Sequence, residues 1–470
     1  MEPADIASWI ENTQRAIPSS RHRDAKDSKS SALQSSPVRL SWSSKPLLYH
    51  PLQTVTPPSS VKNPTRRKQR LSLPATERSS SPRKRQRGQD SDTVLSSSSR
   101  NIAVLDSRTV LSATSLGSGS SPKRNNSPTR DHAIELRTSV PSIQTDSLIR
   151  ADIPKQVRGL RKLLITNFGR SFLPAGLKEV ISSDPDLVDE IDDDAYDETD
   201  QRAPKDILSL LDNIQRIVAN ARDCEQNHRD ENAWCMDVIQ PLLELALKES
   251  VSNEWLLQSV QSQRVQTNFL SRTASNALIE RKTDYVLSYS HKDPATSELY
   301  EKLARNGMRD RLGHTRDSFT KRTALFSGIE VKPSDGGHAQ AELQLSVWLA
   351  ASLRNKARLV ETAQRFASTG AKEGTASETQ DCVKVFPEPG ATIVGHDHQI
   401  YYAWIDSDEN TTNVGPDDRL SASTRSVRGA FLLLDLYKRI LQYGSAGSQY
   451  KNWFFGDVLQ QLVSGADLEG

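Results

Sequence analysis

The sequence predicts an α/β body behind a long disordered tail, and three observations carry that reading. The chain has 470 residues and only 35% hydrophobic content, with Ser, Pro and Arg crowded into its first third. That first stretch has little sustained periodicity and cannot bury enough apolar surface to offset the entropy of ordering. Beyond about Ile153, apolar residues recur at helical spacing in several segments, with short strand-length apolar runs between them. From Glu231 to Gln442 the order is helix, three strands, helix, strands, helix.

The tail, residues 1–150, opens with Ile6, Trp9 and Ile10 on one helical face, read as a transient helix rather than a partner-binding peptide. It holds two basic clusters, Arg66-Arg67-Lys68-Gln69-Arg70 and Arg83-Lys84-Arg85-Gln86-Arg87. Flanking Pro and Ser keep both extended, so they look like nuclear-import signals for an import receptor, with contact to nucleic acid a compatible second use. A nuclear location is therefore expected. Ser36, Ser81, Ser121 and Ser127 each precede Pro, where phosphorylation would lower the tail's positive charge.

Charge is split along the chain. Residues 1–150 hold 24 Lys and Arg against 12 Asp and Glu, and the remainder 37 against 47. The body is thus acidic, which argues against tight, non-specific nucleic-acid binding by its surface. Three cysteines, Cys224, Cys235 and Cys382, are too few and too scattered for a disulfide framework or a zinc site, and they suit a reducing compartment. No apolar run approaches the roughly twenty residues of a membrane span. Glu2, Asp5 and Glu11 stand where a secretory signal needs positive charge, so a soluble intracellular protein without membrane contact is expected.

The body begins with a helical lead-in, residues 151–228. Val157, Leu160, Leu163 and Leu164 share one helical side, an acidic run spans Asp184 to Asp200, and Ile207, Leu210, Leu211, Ile214 and Val218 mark a second helix. The core, residues 229–460, starts with a helix from Glu231 to Leu247 that Pro241 should kink. Val260–Val265 reads as the first strand, Lys282–Tyr289 as the second, and Leu325–Lys332 as the third, after an excursion with its own helix from Glu298 to Met308. Gly336 and Gly337 turn into a helix from Ala339 to Arg358. A polar loop from Glu361 to Thr379 follows, then strands Val383–Phe386 and Ala391–Ile405, and a closing helix from Val427 to Gln442.

The chemistry concentrates on the third strand. In Ser327-Gly-Ile-Glu-Val-Lys332, alternation sends Ile329 and Val331 to one face and Glu330 and Lys332 together to the other. Beside a divalent metal, Glu330 would act as ligand, while Lys332 orients or deprotonates a water and neutralises phosphate charge. Asp284 supplies a second carboxylate, and oxygen ligands of this kind suit Mg²⁺, with Mn²⁺ an alternative. Gln344-Leu-Ser-Val-Trp348 lies on the helix that follows.

Asp, then Glu-x-Lys, then Gln-x-x-x-aromatic resembles the PD-(D/E)XK nuclease superfamily, and its RecB-like branch most closely. The segment from about Glu231 to Phe455 is similar to uncharacterised fungal PD-(D/E)XK nuclease-like domain proteins. The resemblance implies a restriction-endonuclease-like core: a mixed sheet with helices on both faces. It also implies hydrolysis of nucleic-acid phosphodiesters, with DNA the expected substrate. Asp284, Glu330, Lys332 and Gln344 would be catalytic, and Glu231, with Glu244 in reserve, a further acid near the metal. The RecB-like pattern has Tyr where this chain has Trp348, which brings no hydroxyl and is read as packing or base stacking. A lost metal, with Asp284 and Lys332 left as a salt bridge in a binding or regulatory module, is the competing reading. His396 and His398 alternate onto one strand face and could ligate a metal, but the sequence places no third ligand, so satisfied strand histidines are expected.

Overall fold

The computed structural model describes residues 128–145, 153–185, 187–250, 253–370, 385–406 and 411–466. Helix α1 (Pro128–Thr138) and strand β1 (Ser142–Thr145) come first, then α2 (Lys155–Ile165) and α3 (Pro204–Gln226). Helix α4 runs through 231–249, and β2 (Trp255–Ser259), β3 (Tyr285–Tyr289) and α5 (Pro294–Arg305) follow. Next come β4 (Leu325–Lys332), α6 (His338–Gly370), β5 (Glu388–Val394) and β6 (Asp397–Ile405). The last elements are β7 (Thr411–Ser423), α7 (Val427–Gly444) and α8 through 449–466. These seven strands form one sheet in the order β1-β7-β6-β5-β4-β3-β2, and a separate short pair joins Leu173–Pro174 to Tyr196–Asp197. The large sheet is mixed: β1 runs parallel to β7 and β4 to β5, and the other neighbours are antiparallel.

Helices cover both faces. On one, Leu345, Trp348, Leu349 and Leu353 of α6 pack with Val286, Leu325 and Tyr401 of the strands. On the other, α3, α4 and α7 close over Tyr285, Phe326, Ile329, Val331 and Ile400. Gly328 sets the approach of α6, since a Cβ there would stand 2.6 Å from the Trp348 ring.

One irregularity decides which way β4 points. Val286 pairs with Gly328 and Leu287 with Phe326, so Ser327 is an extra residue, held at φ 58°. This bulge resets the alternation. Phe326 therefore shares a core with Ile329 and Val331, although an unbroken strand would send it to the opposite face.

Several boundaries move. The first core strand is Trp255–Ser259 rather than Val260–Val265; Val260 and Val265 are buried, but in the connection that follows. The second begins at Tyr285, leaving Asp284 just ahead of it. The excursion helix is Pro294–Arg305, started by Asp293, whose side chain accepts from the Thr296 N–H. The helix read to Arg358 continues to Gly370, so the loop expected from Glu361 is helical over its first turns. Residues 385–387 precede β5 without joining it.

The chain breaks its helical hydrogen bonding ahead of Pro241 by a π segment, Trp234–Ile239, and resumes as α-helix at Gln240–Glu249. Proline thus sits in the first turn of the resumed helix, where an amide hydrogen is dispensable.

Two strands had no sequence signal. In β7, Gly415-Pro416-Asp417-Asp418 lies within the strand, and Asp417 is buried with Arg161 at 2.9 Å and the Tyr402 hydroxyl at 3.2 Å. Strand β1 lies inside the span assigned to the tail. Its Ile143, with Leu136 of α1, is buried against the α6 side of the sheet, so the tail reading is corrected over 128–145. The basic clusters at 66–70 and 83–87, the segment near Trp9, the four Ser-Pro sites and Cys382 lie outside the described residues.

Candidate active site

Four charged side chains meet where β4 ends. Lys332, the last residue of the strand, places its Nζ 2.6 Å from Glu330 Oε1 and 2.9 Å from Glu231 Oε2, and donates to the Val331 carbonyl at 3.2 Å. Glu231 reaches this point because it opens α4, whose cap Asp230 accepts from the Ala233 N–H at 2.9 Å. A carboxylate in the first turn also lies at the favourable end of the helix dipole. Asp284 arrives from just ahead of β3, and its Oδ2 accepts from the Val331 N–H at 2.7 Å. The residue between Glu330 and Lys332 is therefore clamped by Asp284 itself.

Three of the four are nearly dry: Glu330 is 1% exposed, Asp284 5% and Lys332 7%, while Glu231 stays partly open to solvent. Burial, and then repulsion from Glu231, push Asp284 up to about 6, against the Val331 N–H, Lys332 and Gln261. Burial, with Asp284 next, drives Glu330 well above the carboxylate range despite Lys332. Burial would pull the Lys332 ammonium down, but Glu330 and Glu231 outweigh it and hold it up. Two carboxylates, Glu330 and Glu231, thus share one ammonium, and Asp284 forms no ion pair with Lys332 among the described residues, so the salt bridge expected between those two gives way to the Glu330 pair.

The four residues expected to be catalytic separate here. Asp284, Glu330 and Lys332 come together with Glu231. Gln344 does not join them: its Nε2 approaches the Lys282 carbonyl at 3.4 Å, and its Oε1 finds no hydrogen-bond partner among the described residues. Glu244 is tied to Gln240 at 2.7 Å on its own helix. Trp348 is 1% exposed and meets His314 edge-on at 4.6 Å, so it packs and offers no face for a base.

His396 and His398 behave as buried core histidines. His396 sits in the turn before β6, with Nδ1 2.9 Å from the Thr424 hydroxyl and Nε2 3.1 Å from Glu225, and His398 Nδ1 is 2.9 Å from the Tyr437 hydroxyl. Burial pulls His398 down to about 3, so it is neutral. The turn itself needs Gly395 at φ 56°, because a Cβ would meet Ser334 at 2.7 Å.

Residues 181–446 match the PD-(D/E)XK nuclease superfamily. The chain belongs to that superfamily. The match covers the sheet from β2 to β7 and every residue of the charged cluster, and it begins at 181, so α3 of the lead-in belongs to the superfamily domain as well. No curated protein matches the chain.

The superfamily's usual divalent cation can be tested against the residues present. Glu330 Oε2 is buried without a hydrogen-bond partner among the described residues, beside two further carboxylates. An all-oxygen set suits a hard cation. Among the described residues no three His, Cys, Asp or Glu side chains stand close enough to enclose a metal by themselves. A cation here would keep much of its water, as Mg²⁺ does.

Sequence reasoning missed Gln261 and Cys235. Gln261 donates to Asp284 Oδ1 at 3.0 Å, and Cys235, one turn after Glu231, lies 3.3 Å from the same amide. Neither residue type carries a signal of its own in a loop or an apolar helix.

Proposed function

We propose that the body is a Mg²⁺-dependent nuclease that hydrolyses phosphodiester bonds of nucleic acid, DNA foremost, with Mn²⁺ able to replace Mg²⁺. The observation that carries this reading is that Lys332 pairs with buried Glu330 and with Glu231 beside the buried Asp284 carboxylate, while one Glu330 oxygen has no hydrogen-bond partner among the described residues. A structural ion pair needs one carboxylate for one ammonium; here Lys332 pairs with two, Glu330 and Glu231, and Asp284, bound to the Val331 N–H and Gln261, lies beside them.

Glu330 and Asp284 would hold the cation, with Glu231 beside them. When bound, it would polarise the phosphate and lower the pKa of a coordinated water. The protein's own part is orientation and charge. The Val331 N–H and Gln261 fix the plane of the Asp284 carboxylate. Lys332 keeps its proton at neutral pH and neutralises charge developing on the phosphate. Glu231, 42% exposed, stands on the solvent side of the cluster. Gln344, near the Lys282 backbone, stands outside the cluster and has no part in this reading of the chemistry.

A second reading has its own observation. The remainder of the chain is acidic while residues 1–150 are basic, which suits a non-catalytic nuclear module whose tail meets nucleic acid. The basic clusters would then serve import, nucleic-acid contact, or both. Cleavage of single- and double-stranded DNA and RNA with Mg²⁺ or Mn²⁺, beside calorimetric metal binding, separates the two. Metal-dependent cleavage supports the enzyme. With no cleavage and no metal bound, nucleic-acid affinity that vanishes on removing residues 1–127 supports the module.

A further inference from the structure

Asp284 is held by two donors of different origin. One is the Val331 backbone, which every strand at that position would offer. The other is the Gln261 side chain, 3.0 Å from Oδ1. Gln261 sits in the connection directly after β2, and this connection is itself pinned to Asp284: the Val260 N–H donates to the Asp284 carbonyl at 2.8 Å, and the Gln263 N–H to the Val260 carbonyl at 2.8 Å. The same Gln261 nitrogen lies 3.3 Å from Cys235 Sγ. Cys235 is fixed in turn by the Tyr285 hydroxyl, which donates to its carbonyl at 3.1 Å. An amide nitrogen carries two hydrogens, so one group can serve both Asp284 and Cys235. Gln261 thereby links Asp284, just ahead of β3, to the helix that brings Glu231.

We propose that Gln261 is the positioning residue of this site. It fixes which Asp284 oxygen faces the charged cluster and ties that choice to the placement of Glu231. The inference rests on the nuclease reading above. Without the amide, only the Val331 N–H on Oδ2 holds the carboxylate, and Oδ1 can pivot about that bond away from the cluster. Outer partners of ligating carboxylates typically carry about 10–100-fold in metal affinity.

The test is Mn²⁺ titration by calorimetry of the full chain with Gln261→Met, which keeps length and removes the donor, and Gln261→Glu, which keeps shape and replaces the amide by a carboxyl group. Gln258→Met is the matched control, since Gln258, on β2, donates to the Ser288 hydroxyl at 3.2 Å away from the cluster. The expected result is about a 10-fold or greater loss of Mn²⁺ affinity in Gln261→Met, with the control unchanged and the melting temperatures of both near wild type. Cleavage by Gln261→Met should recover at saturating metal, which a general loosening of the fold would not allow. If Gln261→Met does not fold, Gln261→Glu decides by the same loss of affinity. Equal affinity in wild type and the folded variants overturns the role of Gln261 and leaves the nuclease reading standing. A wild type that binds no Mn²⁺ overturns both.

Discussion

Replacing Lys332 by methionine keeps the aliphatic stem and removes the ammonium held between Glu330 at 2.6 Å and Glu231 at 2.9 Å. The sequence places this lysine in a polar cleft, where its loss would leave the fold unaffected. The structure buries it to 7% exposure, and Glu330 beneath it to 1%. Glu330 then loses its cation while Asp284 still repels it. Removing one partner of a buried pair typically costs about 3–5 kcal/mol. The low end applies here, because Glu330 is already pushed to where it takes up a proton readily. Unfolding entropy of about 2.1 cal/mol/K per residue over a body of roughly 300 residues converts 3 kcal/mol into a fall of about 5 °C in Tm. The fall should shrink toward acid pH, where a neutral Glu330 needs no partner. Metal-dependent cleavage should drop by about two to three orders of magnitude at every metal concentration, because charge stabilisation at the phosphoryl group is lost. Calorimetric melting between pH 5 and 8, with a cleavage assay on the same preparations, checks both. An unchanged Tm at pH 8 would refute the buried-pair argument, and undiminished cleavage would remove Lys332 from the chemistry.

Asp284 gives a pH signature. Its carboxyl is raised from 3.8 to about 6, so it favours the folded state below about pH 4, and that contribution is lost as pH rises toward and through 6. Asp284→Asn should therefore be close to neutral at pH 4 and stabilising at pH 7, by on the order of 3 kcal/mol at most, while Mn²⁺ affinity falls; equal Tm differences at both pH values would contradict this. Removing residues 1–127 should leave the melting of the body intact, whereas removing 1–150 also strips β1 and the buried Leu136 and Ile143. Each such side chain is worth about 1.5–3 kcal/mol, so the longer deletion should melt several degrees lower. Neutralising Arg66, Arg67, Lys68, Arg70, Arg83, Lys84, Arg85 and Arg87 together should move a fluorescent fusion from nucleus to cytoplasm, and unchanged nuclear fluorescence would dispose of the import proposal.

By itself the sequence determined the alternating apolar run of β4, the amphipathic faces of α2, α3 and α7, and hence an α/β body carrying Asp284, Glu330 and Lys332 in order. These are local properties: a period of two or 3.6 is written in neighbouring residues and survives in any packing. What the tertiary structure decided is non-local. The bulge at Ser327 follows from pairing with β3, and the burial of Asp417 in β7 from Arg161, 256 residues away in sequence. Strand β1 has four residues and becomes a strand only because β7 offers an edge to pair with. The burial of Lys332 and its contact with Glu231, 101 residues earlier, depend on how α4 docks. A lysine on a strand end looks the same in sequence whether water or two carboxylates surround it, and only the packing distinguishes them.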